Sequence, residues 1–210
     1  MIEEDTDGIY SIAGGNAEEI KDEIEKALHH YHKSLEINTL RQYPGSYALV
    51  NNNLGLAYVK LAVFTNDKED IIRAIEAYRE ALKIRTAEEY PDGYATTQNN
   101  LGTAYMKLAV FTNDKEDIIR AIEAYREALK IRTAEEYPAK YAMLKKLVGD
   151  AYYQLSFKED MENSLMKALD EYQKFLETES EGWRIEYEED TYQEVRNKVD
   201  AIKRKMGGST

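Results

Sequence analysis

The chain contains no cysteine, which excludes disulfide staples, thiolate metal sites and cysteine nucleophiles. Basic residues are in the minority, with 28 Lys and Arg against 40 Asp and Glu and a formal net charge of −12. Phosphate recognition needs clustered Lys and Arg, so no nucleic-acid partner is expected. No apolar run approaches the ~20 residues of a membrane-spanning helix, and no helix face is predominantly basic. The opening "MIEEDTDGIY" is acidic, unlike a signal peptide. A cytoplasmic protein without a membrane partner is therefore expected. Phosphate-loop, GxGxxG and GxSxG patterns are missing, and "GIYSIAGG" has glycines without the spacing. Neither catalytic residues nor a cofactor are assigned, and an enzyme is not expected.

Histidine is also scarce, and all three lie in "HHYH". His29 and His32 share a helix face, but zinc needs three or four placed ligands. They read as surface residues, and no metal site is assigned. The many carboxylates read as surface charge, often with a base four residues on, as in Glu69–Arg73 and Glu116–Arg120.

What proline there is carries information. Pro44, Pro91 and Pro138 each follow a tyrosine and stand 47 residues apart. A fixed period on this scale marks stacked repeats. Residues 45–91 and 92–138 align without a gap and differ at seven of 47 positions. A diverged third copy keeps the spacing: "VGDAY" at 148–152 matches "LGTAY" at 101–105, and Ala168, Tyr172 and Leu176 follow in register. Counting back one period from Ala74, Tyr78 and Leu82 lands on Ala27, Tyr31 and Leu35. The chain therefore divides into an N-terminal extension (1–16), an unpaired half-repeat helix (17–43), repeats at 44–90, 91–137 and 138–184, and a capping helix with tail (185–210).

Each copy holds two helical patterns. The first, about Tyr47 to Val63, carries Leu54, Gly55, Tyr58 and Leu61 on one face. The second opens near "NDKEDII", where Asn66 or Asp67 can cap the first-turn amides and Glu69 or Asp70 can complete a capping box. Its expected buried stripe is Ile71, Ala74, Ile75, Tyr78, Ala81, Leu82 and Arg85, ending before Pro91. Gly55 and Ala74 are small where two helices must approach, with Tyr58 and Tyr78 beside them. The last helix, about Glu186 to Met206, places Tyr192, Val195, Val199, Ile202 and Met206 on one stripe. Arg196 stands where a further glycine would fall, so this helix reads as a cap.

The pattern Leu54, Gly55, Tyr58, Ala74, Tyr78, Ala81, repeated as Leu101, Gly102, Tyr105, Ala121, Tyr125, Ala128, resembles the tetratricopeptide repeat family over about residues 17–206. The usual period is 34 residues. The longer copies look like those of kinesin light chains and of bacterial and archaeal signalling proteins. Asn51, Gln98 and Lys145 stand where a tryptophan is common. The resemblance implies an all-α, right-handed solenoid of antiparallel helix pairs that binds a protein or peptide partner in its concave groove.

With Leu54, Gly55 and Tyr58 facing the partner helix, the opposite face holds Leu49, Asn52, Asn53, Leu56, Val59 and Lys60. The matching set in the second copy is Thr96, Asn99, Asn100, Thr103, Met106 and Lys107. In the third it is Met143, Lys146, Leu147, Asp150, Tyr153 and Gln154. Three of the five differences outside the short inter-repeat loop fall on this face, which points to a binding surface. Some members of the family use an asparagine ladder at the places of Asn53 and Asn100, so the resemblance implies backbone recognition there. The bland alternative is that these amides bond within the protein. A purely structural array, recently duplicated or engineered, stays open beside the binding module. The N-terminal extension offers a route to self-association.

Overall fold

The computed structural model describes residues 17–180 and 189–207. Among these the regular elements are all helices, with no strand: α1 (Ala17–Ile37), α2 (Pro44–Thr65), α3 (Lys68–Leu82), α4 (Pro91–Thr112), α5 (Lys115–Leu129), α6 (Pro138–Leu155), α7 (Met161–Ser180) and α8 (Glu189–Gly207). None of these helices is long and apolar enough to cross a membrane. The chain divides into two compact units, 1–84 and 85–210. In the first, α1 packs on α2 and α2 on α3. In the second, α4 packs on α5, α5 on α6, α6 on α7 and α7 on α8. The N-terminal extension, and with it the route to self-association, lies outside the described residues, as do 181–188 and 208–210.

Each Tyr-Pro pair opens a helix. Tyr43, Tyr90 and Tyr137 sit at the N-cap with φ of −137°, and the proline takes the first turn. Proline keeps the residue before it out of the helical region, while its own fixed φ and missing N–H suit a helix start. The first helices therefore begin a turn earlier than the pattern predicts. The second helices end at Leu82 and Leu129, well before the proline. Arg85 consequently lies in the connection, not on the α3 stripe, where it donates to Thr97 Oγ1 at 2.9 Å.

Two residues turn the α2–α3 and the α4–α5 hairpins. Asn66 and Asn113 adopt the left-handed conformation (φ 49° and 57°) and donate back to the carbonyls of Ala62 and Ala109. Asparagine tolerates this region better than most residues. Asp67 and Asp114 then cap the next helix, accepting from the amides of Glu69 and Glu116. Asp70 does not complete a capping box. It is buried, accepts from Thr65 Oγ1 at 2.8 Å, and pairs with Arg73 at 3.0 Å. Asp117 repeats this with Thr112 and Arg120. The arginine thus serves the acid three residues before it, not Glu69 or Glu116. A buried carboxylate requires a charge partner, whereas an exposed one is content in water.

The helix pairs meet through one recurring contact. Tyr78, Tyr125 and Tyr172 are at most 1% exposed, and each lays its ring against a glycine of the preceding helix. A Cβ on Gly55, Gly102 or Gly149 would stand 2.5, 2.6 or 2.7 Å from the tyrosine ring. No side chain fits there.

The third copy departs from the other two within its first helix and at that helix's C-terminal end. Lys145 replaces Asn51 and Gln98, and the facing Ala77 and Ala124 become Glu171, which Lys145 meets at 2.9 Å with both side chains largely buried. α6 ends at Leu155, with Ser156 donating to the Tyr153 carbonyl. α8 buries Tyr192, Val195, Val199 and Ile202 of the expected stripe, leaves Met206 half-buried, and stacks Tyr192 on Phe175 with ring centres 5.0 Å apart.

Gly102→Ala should destabilise the protein by about 1–3 kcal/mol despite alanine's higher helix propensity, because the new methyl overpacks against a locked ring. Denaturant unfolding checks this. The double variant Gly102→Ala with Tyr125→Leu should recover part of the loss, as expected for residues in direct contact.

Candidate functional site

The face of α2 opposite the Leu-Gly-Tyr stripe is partly apolar and open. Leu49, Leu56 and Val63 recur every seven residues and are 51%, 39% and 43% exposed. Lys60 is exposed, and Asn53 and Val59 are half-buried. The three asparagines differ in role. Asn51 is buried and donates from Nδ2 to the Tyr47 carbonyl one turn back at 2.9 Å. This satisfies its amide inside the scaffold. Asn52 is also buried, at 5% exposure, with Nδ2 a long 3.4 Å from Asn53 Oδ1. The Tyr47 hydroxyl donates to Glu80 at 2.7 Å, and burial together with that carboxylate pushes its pKa up to about 12.

The histidines stay exposed, but His32 is not idle: its Nε2 lies 2.8 Å from the Tyr58 hydroxyl. Among the described residues no three histidine or acidic side chains stand together as potential metal ligands.

In the second unit the equivalent face is hollow. Thr96 and Asn99 of α4 and Met143 of α6, all on the expected face, surround a cavity of about 260 Å³. Ala95, Ala139, Lys140, Leu144 and Arg132 complete its lining. Asn99 Oδ1 is buried without a hydrogen-bond partner among the described residues. Such an acceptor costs about 1–3 kcal/mol if nothing donates to it.

Arg132 is almost fully buried but well satisfied. It pairs with the Asp92 carboxylate, donates to the Asp92 carbonyl at 3.2 Å and stacks over Tyr137 at 4.2 Å. The same guanidinium holds Asp92 below the ordinary carboxylate range. Lys107 remains exposed, while Asn100 and Met106 are half-buried. Thr103 is turned partly inward, its hydroxyl 3.3 Å from that of Tyr125.

Further along α6, the cap occupies the face. Lys146 meets Asp150 at 3.0 Å and Glu194 of α8 at 3.5 Å. Lys198 of α8 meets Asp150 at 2.6 Å and Glu194 at 2.5 Å. The Tyr172 hydroxyl donates to Asp150 at 2.7 Å. Tyr153 packs edge-on to Phe157, with Lys205 above Phe157. Lys146 and Asp150, expected on an open face, thus help seat α8, while Tyr153 of the same face packs on Phe157. The pattern missed this because Lys198 and Glu194 lie 48 and 44 residues from Asp150, on a helix whose contacts no periodicity announces. It also missed the role of Arg132, the repeat equivalent of Arg85, and Lys140 at the first turn of α6.

Burial alone would raise the Asp150 pKa, but Lys146 and Lys198 outweigh it and hold the carboxyl below its usual range. For Lys198, burial opposes the charge, yet Asp150 and Glu194 raise its pKa.

No protein-family model matches the chain, and no curated protein matches it.

A depressed carboxylate contributes stability above its unfolded pKa of about 3.9, and that contribution is lost as pH falls through the lower folded value. The raised Lys198 keeps its contribution at neutral pH and loses it only above the ordinary lysine range of about 10.4. Asp150→Asn should therefore lower stability at pH 7 by about 1.5–3 kcal/mol, the worth of hydrogen bonds to a charged group. The gap to wild type should narrow as pH drops below about 4. Melting curves of both proteins from pH 7 to pH 3 test this.

Proposed function

We propose that the chain is a tetratricopeptide-type, right-handed solenoid of antiparallel helix pairs, working in the cytoplasm as a non-enzymatic protein-interaction module. Its ligand is an extended peptide or a helix laid along the concave face. The observation that carries this reading is the α4–α6 cavity, lined by Thr96, one of the positions at which two otherwise near-identical copies differ, with the unsatisfied Asn99 oxygen beside it. A half-buried amide offers both donors and an acceptor, which suits a peptide backbone. The exposed Leu49, Leu56 and Val63 row adds apolar surface for the same purpose. The purely structural reading draws support from Asn51 and Asn52, both buried like scaffold residues.

Binding to an immobilised random-peptide array separates the two. In the module reading, Asn53→Ala with Asn100→Ala, and separately Asn99→Ala, weaken retained peptides by about 2- to 13-fold per lost hydrogen bond. Folding stability should stay level or rise, since alanine is the better helix former. An array that retains nothing, or a double variant that loses more than about 2 kcal/mol of folding stability, would assign the asparagines to the scaffold.

A further inference from the structure

We infer that α1 is a self-association surface: two copies of the chain pair by packing their α1 helices antiparallel. The surface belongs to α1 and does not depend on a peptide occupying the concave face.

Burial marks the place. Ile71, Ala74 and Tyr78 of α3 are at most 1% exposed, and their equivalents on α5 and α7 at most 2%. One period earlier, Ile24, Ala27 and Tyr31 of α1 are only half-buried. Ile24 and Tyr31 lean on the core that Leu28 forms with Leu54 and Leu61 of α2. Among the described residues, however, no helix covers α1 as α2 covers α3.

The residues on that side are those of an interface. Where α2 buries Asn52, Gly55 and Ala62, α8 carries the polar Gln193, Arg196 and Lys203. α1 instead keeps Ala27 and Tyr31 and sets polar residues around them. Glu23, His30 and Ser34 stand where α3 buries Asp70, Ala77 and Ala81. An apolar strip inside a polar rim is how protein interfaces are built.

Spacing and charge identify the occupant. Ile20, Ile24, Ala27 and Tyr31 follow one another at intervals of four, three and four residues, the seam of two helices packed along their length. Residues 17–26 carry five acids and two lysines, whereas residues 27–37 carry one acid, one lysine and three histidines. An antiparallel second copy of α1 sets the acidic half of each helix against the more basic half of the other. A parallel mate would place acid against acid. With Ala27 facing its counterpart the helices can approach closely, Ile20 lies level with Ser34 of the second copy, and Glu23 lies beside His30. Every contact recurs about the two-fold axis, so the pair closes on itself. α1 spans 21 residues, a strip about 31 Å long and about 10 Å wide. That is small beside the ~800 Å² per partner of a standard interface, so the pair should be weak and concentration-dependent.

Sedimentation equilibrium of the full chain at about 5–500 µM, a range that brackets weak dimers, should show monomer and dimer in exchange. Ala27→Glu, which sets two acids face to face at the axis, should weaken the dimer by about tenfold or more. His30→Glu, which adds an acid beside Glu23, should weaken it by about 2- to 5-fold for each of the two pairs, and Glu23→Arg in the same chain should restore it. Both of these residues are exposed, so the fold is left intact. Because the chain has no cysteine, single introduced thiols report the geometry. Ala27→Cys should form a disulfide-linked dimer on mild oxidation, since helices packed at about 8 Å bring the two Cα atoms within bridging range. Ser34→Cys should not bridge to itself, its counterpart lying about 21 Å away along the helices, but should bridge to Ile20→Cys in a mixture. A chain that stays monomeric throughout, as it would with another part of itself on this face, overturns the inference. So does a dimer indifferent to Ala27→Glu, a Ser34→Cys protein that bridges to itself, or Ala27→Cys bridging no faster than Glu76→Cys on the exposed side of α3.

Discussion

A tyrosine ring lying flat on a helix backbone, where any side chain would collide with it, fixes how closely the paired helices approach. Gly55, Gly102 and Gly149 make room for Tyr78, Tyr125 and Tyr172, and each ring is sealed from water. Once that distance is set, the flanking alanines Ala74, Ala121 and Ala168 must be small. The Asn-Asp pairs at 66–67 and 113–114 connect the helices of the first two pairs by ending one helix in the left-handed region and capping the next. Arg196 takes the glycine's place on α8.

Variation between copies follows the packing as much as any ligand. One position holds Leu56, Thr103 and Asp150 in turn. Thr103 and Asp150 both address the hydroxyl of the tyrosine that covers the glycine. Lys145 appears together with Glu171, so a charge enters the interior only with its partner. Asp92, new in the second copy, gives Arg132 its carboxylate. Such compensated changes keep the interior satisfied. What they leave over is the α4–α6 cavity, where an amide oxygen remains without a partner among the described residues.

The charge cluster around Asp150 belongs to a different economy from the exposed ion pairs. Lys130–Glu127 and Lys174–Asp170 are neighbours on one helix and largely in water, where such pairs contribute little. Lys198–Asp150 joins two helices and is backed by the Tyr172 hydroxyl. It decides where α8 sits, and so where the open face of α6 stops.

The 47-residue period, the helical class, the buried stripes and the glycine positions could all be read from the chain. Each depends on spacing along one helix or on exact recurrence, and both are properties of a linear string. The capping aspartates were legible for the same reason. Less so were the limits of the helices: Arg85 fits the apolar count but lies beyond α3, because periodicity cannot tell a helix from the buried connection after it. Which acid Arg73 chooses depended on burial of Asp70, not on spacing. Of the expected face, Asn52 is buried, Lys146 and Asp150 seat the cap, and Thr96, Asn99 and Met143 surround a cavity. These outcomes were decided by which helix packs alongside. A side chain's exposure and partners depend on residues 40 or more positions away, and only the packed chain brings those together.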